Sequence, residues 1–169
     1  MALGAQTTST VNIYGRSGQA SPGVPYMIEG VLDFALATAD KGTALAANDV
    51  IPGLTIPANT LILHAGLEVL TAHAGTSSNT DFDFGITGGD LDNFVDGFDF
   101  DAASVGDFAA SAEGGPVMVN ATDTLDLEIQ AMTGTTTGGS LRMFAICIDC
   151  TSQPASQFGA DEVDRDTLA

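Results

Sequence analysis

The sequence predicts an all-β domain, an antiparallel β-sandwich or jelly-roll-like fold preceded by an extended N-terminal arm. Three observations point there. Short segments alternate apolar and polar residues at a period of two. Clusters of Gly, Pro, Asn, Asp and Ser separate them. Long stretches with the 3.6-residue period of a helix are missing, which favours packed sheets over bundles or α/β layers. With 169 residues and 44% hydrophobic side chains, the chain suits one domain with a real core. The expected division is an arm over residues 1–23, a sandwich over 24–152 and a polar acidic tail over 153–169.

Residues 1–23 are dominated by Gly, Ser, Thr and Gln and cannot bury enough apolar area to fold alone. Val11, Ile13 and Tyr14 are the residues able to anchor the arm, with Arg16 beside them. The arm either frays or orders on a neighbouring subunit. From Tyr26 to Ala37 the pattern predicts a strand with Leu32, Phe34 and Leu36 on one face, and the alanines leave room for a helix near 35–47. Gly30 and Gly42 weigh against a long helix there. Val50 to Pro57 contains two prolines and reads as an edge or irregular strand. The turn Pro57-Ala58-Asn59-Thr60 leads into Leu61–Ala72, apolar on both faces and so expected to be central. Its Leu61, Leu63, Ala65, Leu67 and Val69 share one face.

After the turn at 75–79, Asp81 to Ile86 alternates strictly, with Phe82, Phe84 and Ile86 inward. Residues 87–115 form a long Gly/Asp-rich excursion. Its Leu91, Phe94, Val95, Phe98, Phe100 and Phe108 need cover, so it reads as an ordered loop. Pro116–Asn120 is a short strand. Thr124–Met132 and Leu141–Asp149 then read as a hairpin, with Leu125, Leu127 and Ile129 inward and Asp126, Glu128 and Gln130 outward. The tail carries Phe158 and Val163 as its larger apolar residues and reads as a short helix over Ala160 to Arg165 or as a mobile end.

Charge narrows the function. Twenty-two acidic residues face four basic ones, for a net charge of −18. Such a surface repels phosphate backbones and anionic membranes. High Asp with scarce Lys also suits a salty environment. No apolar run reaches the ~18–20 residues that span a bilayer. The N-terminus lacks the charged start and apolar middle of a signal peptide, so synthesis in a cytosol is expected.

Residues able to carry chemistry are few. Asp90, Asp92 and Asp96, with Asp99 and Asp101 behind them, could gather carboxylates around Ca²⁺. Their order does not match an EF-hand loop, and Asp is a common turn former, which is the reading preferred. Cys147 and Cys150 have a CxxC spacing but end a strand, where their side chains point to opposite faces. Zinc would need two further ligands beyond His64 and His73. Cys147 reads as a core residue. No nucleophile elbow, P-loop or dinucleotide fingerprint occurs, and no enzyme is expected.

Three runs, DVIPGLTIPANTLILHAGLEVLTA from Asp49, TDFDFGITGGDLDNFVDG from Thr80 and NATDTLDLEIQAMTGTTTGGSLRMFAICID from Asn120, resemble small virion proteins of tailed bacteriophages, several of them head-decoration or capsid cement proteins. The resemblance spans about residues 48–150 and rests on turn and strand signatures. It implies a β-sandwich on the outer capsid surface, often trimeric, clamping the major capsid protein and stabilising the head. It supplies no catalytic residues, and apart from the Ca²⁺ weighed above no cofactor is expected. The partner-binding residues expected are Val11, Ile13, Tyr14 and Arg16 of the arm. The alternatives are another virion component, such as a head-fibre base or tail protein, and a Ca²⁺-dependent or carbohydrate-binding adhesion module. Poverty in aromatic side chains counts against sugar stacking.

Overall fold

The computed structural model describes residues 24–87, 89–110 and 115–151, and residues 12–14 by their backbone alone. It forms two antiparallel sheets packed face to face, as the alternating pattern requires. The first sheet contains β1 (Asn12–Tyr14), β2 (Pro25–Asp33), β4 (Thr60–Gly75), β7 (Phe108–Ala110), β8 (Val117–Val119) and β10 (Thr136–Asp149). Its order is β1-β2-β10-β4-β7, with β8 alongside β7 on the same strand β4. The second sheet runs β3-β9-β5-β6, from β3 (Val50–Ile56), β9 (Asp123–Met132), β5 (Thr80–Ile86) and β6 (Val95–Asp99). The proline-broken β3 is an edge strand with a register shift between Pro52 and Leu54, as expected of a strand that cannot donate every ladder bond.

The structure corrects the first strand. It ends at Asp33, and Phe34–Lys41 form α1. The Asp33 carboxylate accepts hydrogen bonds from the N–H groups of Ala35 (2.8 Å) and Leu36 (3.2 Å), an N-cap that satisfies two orphan donors. Gly42, at φ 71°, closes the other end in the left-handed conformation. Phe34 is therefore buried at the helix start while Leu36 is exposed.

Strand β4 is central, between β10 and the β7–β8 pair, but its faces are not those of simple alternation. His64 pairs Ile146 and Ile62 pairs Cys147, which leaves Leu63 as an extra residue. This bulge reverses the phase. Ile62, Ala65, Leu67 and Val69 point inward and are fully buried, while Leu61, Leu63 and His64 are only partly covered.

The last two long strands are not a hairpin. β9 pairs β3 and β5, and β10 pairs β2 and β4. The chain changes sheet at 133–135, beside the other crossing at 75–80. Thr76 donates its N–H to the carbonyl of Thr135 (2.8 Å), and Thr133 donates to that of Asn79 (3.2 Å), tying the two corners together.

Residues 87–115 also contain more structure than a loop. They place β6 on the edge of one sheet and β7 on the edge of the other. Phe100 anchors the crossing. It is fully buried, with its ring centroid 5.0 Å from Phe34 and 5.4 Å from Phe82, themselves stacked at 5.1 Å. Burying such a ring contributes roughly 1.5–3 kcal/mol. Gly139, at φ 106°, makes the seat possible, since a Cβ there would lie 2.7 Å from the Phe100 ring. Phe94 and Val95 are buried as expected, but Phe108 is 71% exposed.

Candidate docking surfaces

The described residues bring no catalytic set together. The ring of His73 meets hydroxyl groups, Ser77 Oγ at 2.6 Å and Thr136 Oγ1 at 3.2 Å, both at Nε2. Ser77 also accepts from Thr80 Oγ1 at 2.8 Å, and Phe100 sits edge-on to the imidazole at 5.5 Å. This network clamps the two corners where the chain changes sheet. His64 lies elsewhere, 6.2 Å from the ring of Phe144 on the outer face. Cys147 is buried, and burial pushes its thiol up to about 12, while Cys150 is exposed. The inert, buried position is the one expected of a core cysteine.

The acidic loop residues are spread out. Asp90 and Asp92 lie in the turn after β5, where a shared hydrogen bond with Asp92 holds the Asp90 carboxyl above the usual range. Asp96 stands on β6. Asp99 accepts the N–H of Ala102, and Asp101 that of Thr80. These are turn-closing roles. Among the described residues no three His, Cys, Asp or Glu side chains are gathered to hold a metal ion. No helix among them is long and apolar enough to cross a membrane.

Of the arm residues, Val11 and Arg16 lie outside the described residues. Ile13 and Tyr14 belong to β1, whose backbone adds to the edge of the first sheet opposite Ile28 and Met27.

What remains are surfaces. The outer face of the first sheet is apolar. Cross-strand rows place Val31, Arg142, Glu68 and Phe108 side by side, then Glu29, Phe144, Gly66 and Ala110, then Met27, Ile146 and His64. At its centre Arg142 donates from Nε to Glu68 (2.8 Å) and pairs with it again through Nη2, while Nη1 reaches Glu29 at 3.5 Å. The hydrogen bond to Glu68 raises the guanidinium pKa further. Arg142 thus neutralises much of the acidity of this face. A depression of about 330 Å³ lies over it, lined by Met27, Glu68, Gly106, Phe108, Arg142 and Phe144. Half-buried Ile148 and exposed Met118 extend the apolar area.

The outer face of the second sheet is acidic. Asp83 stands opposite Glu128, and Asp81 opposite Asp99. Like charges so placed destabilise a sheet. Burial first, then the neighbouring carboxylates, push Asp81 and Asp83 above the usual range. Asp83 is offset by the N–H of Gly97, donated at 2.8 Å. Asp126 was expected to face solvent, yet it is 2% exposed. It accepts from the Gly53 N–H (3.2 Å) and the Thr87 hydroxyl, so it ties β3 and the turn after β5 to β9.

Two of the surface features were invisible to the sequence. Arg142 is the one basic residue on a long strand, and its partners lie 74 and 113 residues away. Phe108 counts as a core residue until β7 is seen to be an edge.

No family model matches the chain, and no curated protein matches it. Solved structures share its fold. A chain in the capsid of Ralstonia phage GP4 superposes with a TM-score of 0.59 at 15% identity, covering 87% of this chain and 95% of that one. A chain in the capsid asymmetric unit of cyanophage Pam1 gives 0.55 at 15% identity, covering 79% and 91%.

Proposed function

We propose that this chain is a structural protein of a phage virion, a decoration or cement protein that sits on the outside of the head and stabilises it. The likeness to chains of phage capsids supports this most directly. It covers 79–87% of this chain and 91–95% of the capsid chains, which are therefore of similar size to this one. The surfaces agree with the role. A chain of net charge −18 meets further copies of itself most readily where its charge is lowest, and that is the Arg142-centred face of the first sheet. We assign the contact between copies, a trimer, to that face. We assign the grip on the major capsid protein to Val11, Ile13, Tyr14 and Arg16, of which Ile13 and Tyr14 belong to β1 at the edge of the same sheet. A clamp that binds the assembled shell stabilises it by mass action.

Cosedimentation with expanded shells of the parent phage tests the reading. Saturable binding and a higher shell melting temperature are expected. Absence of binding would sink it. Deleting residues 1–22 is expected to leave a folded sandwich that binds shells more weakly. Undiminished binding would remove the arm from the interface.

A further inference from the structure

The edge formed by β6 and β7 is a second surface, unlike the sheet faces. Each of these strands pairs on one side alone among the described residues, β6 with β5 and β7 with β4. They belong to different sheets, so their free edges face the same gap at the side of the sandwich. That gap is a groove in two joined parts of about 250 and 620 Å³, which share Val95, Asp96 and Ala109. Its floor is apolar. Phe98, Ala103 and Ala109 are partly buried against the core, and Val95 is buried.

Its rim is acidic. Asp92, Asp96, Asp99 and Asp107 are all exposed along it, and no Lys or Arg lines either part. At one end Asn93 has its amide oxygen buried with no hydrogen-bond partner among the described residues. A buried acceptor of that kind costs free energy until a donor reaches it.

Open strand edges bind extended backbone, and alternate side chains of the added strand select the sequence. An apolar floor under an acidic rim selects apolar residues alternating with Lys or Arg. We infer that the groove between β6 and β7 receives a short, extended, basic segment of the protein's partner chain, added as a strand along the open edge of β6. The five residues of β6 set its length at about five. This rests on the virion reading only for the identity of the partner. The groove chemistry stands apart from it.

The test uses the full-length protein and two capped peptides, Val-Lys-Val-Lys-Val and Val-Glu-Val-Glu-Val, followed by amide chemical shifts and hydrogen exchange. The lysine peptide is expected to shift and protect amides of β6, β7 and Asn93, more strongly at low salt than at ~0.5 M. The glutamate peptide is expected to leave them unchanged. Asp96→Lys and Asp99→Asn are expected to weaken the lysine peptide roughly threefold to tenfold each, with melting temperatures confirming the fold. Equal response to both peptides, or shifts confined to other surfaces, would overturn the inference. So would protection of β6 and β7 without peptide that disappears on deleting residues 1–22, since the occupant would then be the arm of a second copy. Shell binding by the unsubstituted protein, beside its response to the lysine peptide, separates the two readings. If the peptide fails while shells still bind, the groove is wrong and the virion role stands. If the peptide binds and shells do not, the reverse holds.

Discussion

The two sheets share one core and turn opposite surfaces outward. The first sheet shows Met27, Val31, Phe144, Ile146 and Ile148, with one arginine holding two glutamates. The second shows Asp81, Asp83, Asp99 and Glu128, set against each other in pairs. Both faces come from alternating strands, so alternation alone does not decide what lies outside. The difference teaches where contacts can form. Desolvating the first face releases apolar area, and its buried charge is already paired. Desolvating the second would strand several carboxylates, which is costly. One side of the sandwich costs less to cover than the other.

The largest expected effect comes from removing what joins the two sides. Phe100→Ala deletes the ring that seats the 87–115 crossing between the sheets. A loss of about 3–5 kcal/mol is expected, measured by denaturant unfolding. A loss under ~1 kcal/mol would show that the crossing is held by its strands alone.

Next comes Arg142→Ala, which would make the first face resemble the second by leaving Glu29 and Glu68 together. Arg142 is partly exposed, its side chain retaining 39% of its area, so solvent screening limits the cost to about 1 kcal/mol. Self-association, followed by analytical ultracentrifugation, should fall with it. Unchanged association would detach the apolar face from oligomer formation.

The acidic face yields a change of opposite sign. The folded-state pKa values of Asp81 and Asp83 lie above their unfolded values, so the folded state binds more protons in that window. Their contribution to stability is present at low pH and is lost as pH rises through the folded values. Lowering the pH from neutral toward the carboxylate range at low salt should therefore raise the melting temperature. Asp83→Asn keeps a carbonyl for the Gly97 N–H and removes the charge. It should raise the melting temperature at pH 7 and abolish part of the pH response. In more acid solution the trend is opposed by Asp149, whose carboxyl the Thr151 hydroxyl and N–H hold below the usual range. A pH-independent melt in Asp83→Asn and the parent alike would remove this account.

The smallest effect on stability belongs to Phe108→Ser. The ring is exposed, so unfolding should change by no more than ~0.5 kcal/mol. Binding to shells or to further copies should weaken. A large stability loss would mean that Phe108 packs in the isolated domain.

Much of this was legible residue by residue. The strands Asp81–Ile86 and Thr124–Met132 announce their inward faces through Phe82, Phe84, Leu125, Leu127 and Ile129, all fully buried, whereas Ile86, also expected inward, is only partly covered. The helix was half-legible. Gly42 counts against a long helix, yet it is the residue that stops a short one, and Asp33 is the residue that starts it. The docking surfaces were the least legible part. The arm residues stand out by composition, whereas the apolar face depends on which strands become neighbours.

The sequence by itself determined the β class, the inward faces of Asp81–Ile86 and Thr124–Met132, the burial of Cys147 and the acidity, because a period of two, turn chemistry and charge are local properties. Only the tertiary structure decided that β9 and β10 part company into different sheets. It alone placed Arg142 between Glu29 and Glu68, inverted β4 at Leu63 and left β6 and β7 as facing free edges. These follow from register and strand order, which are set by packing between residues far apart in the chain.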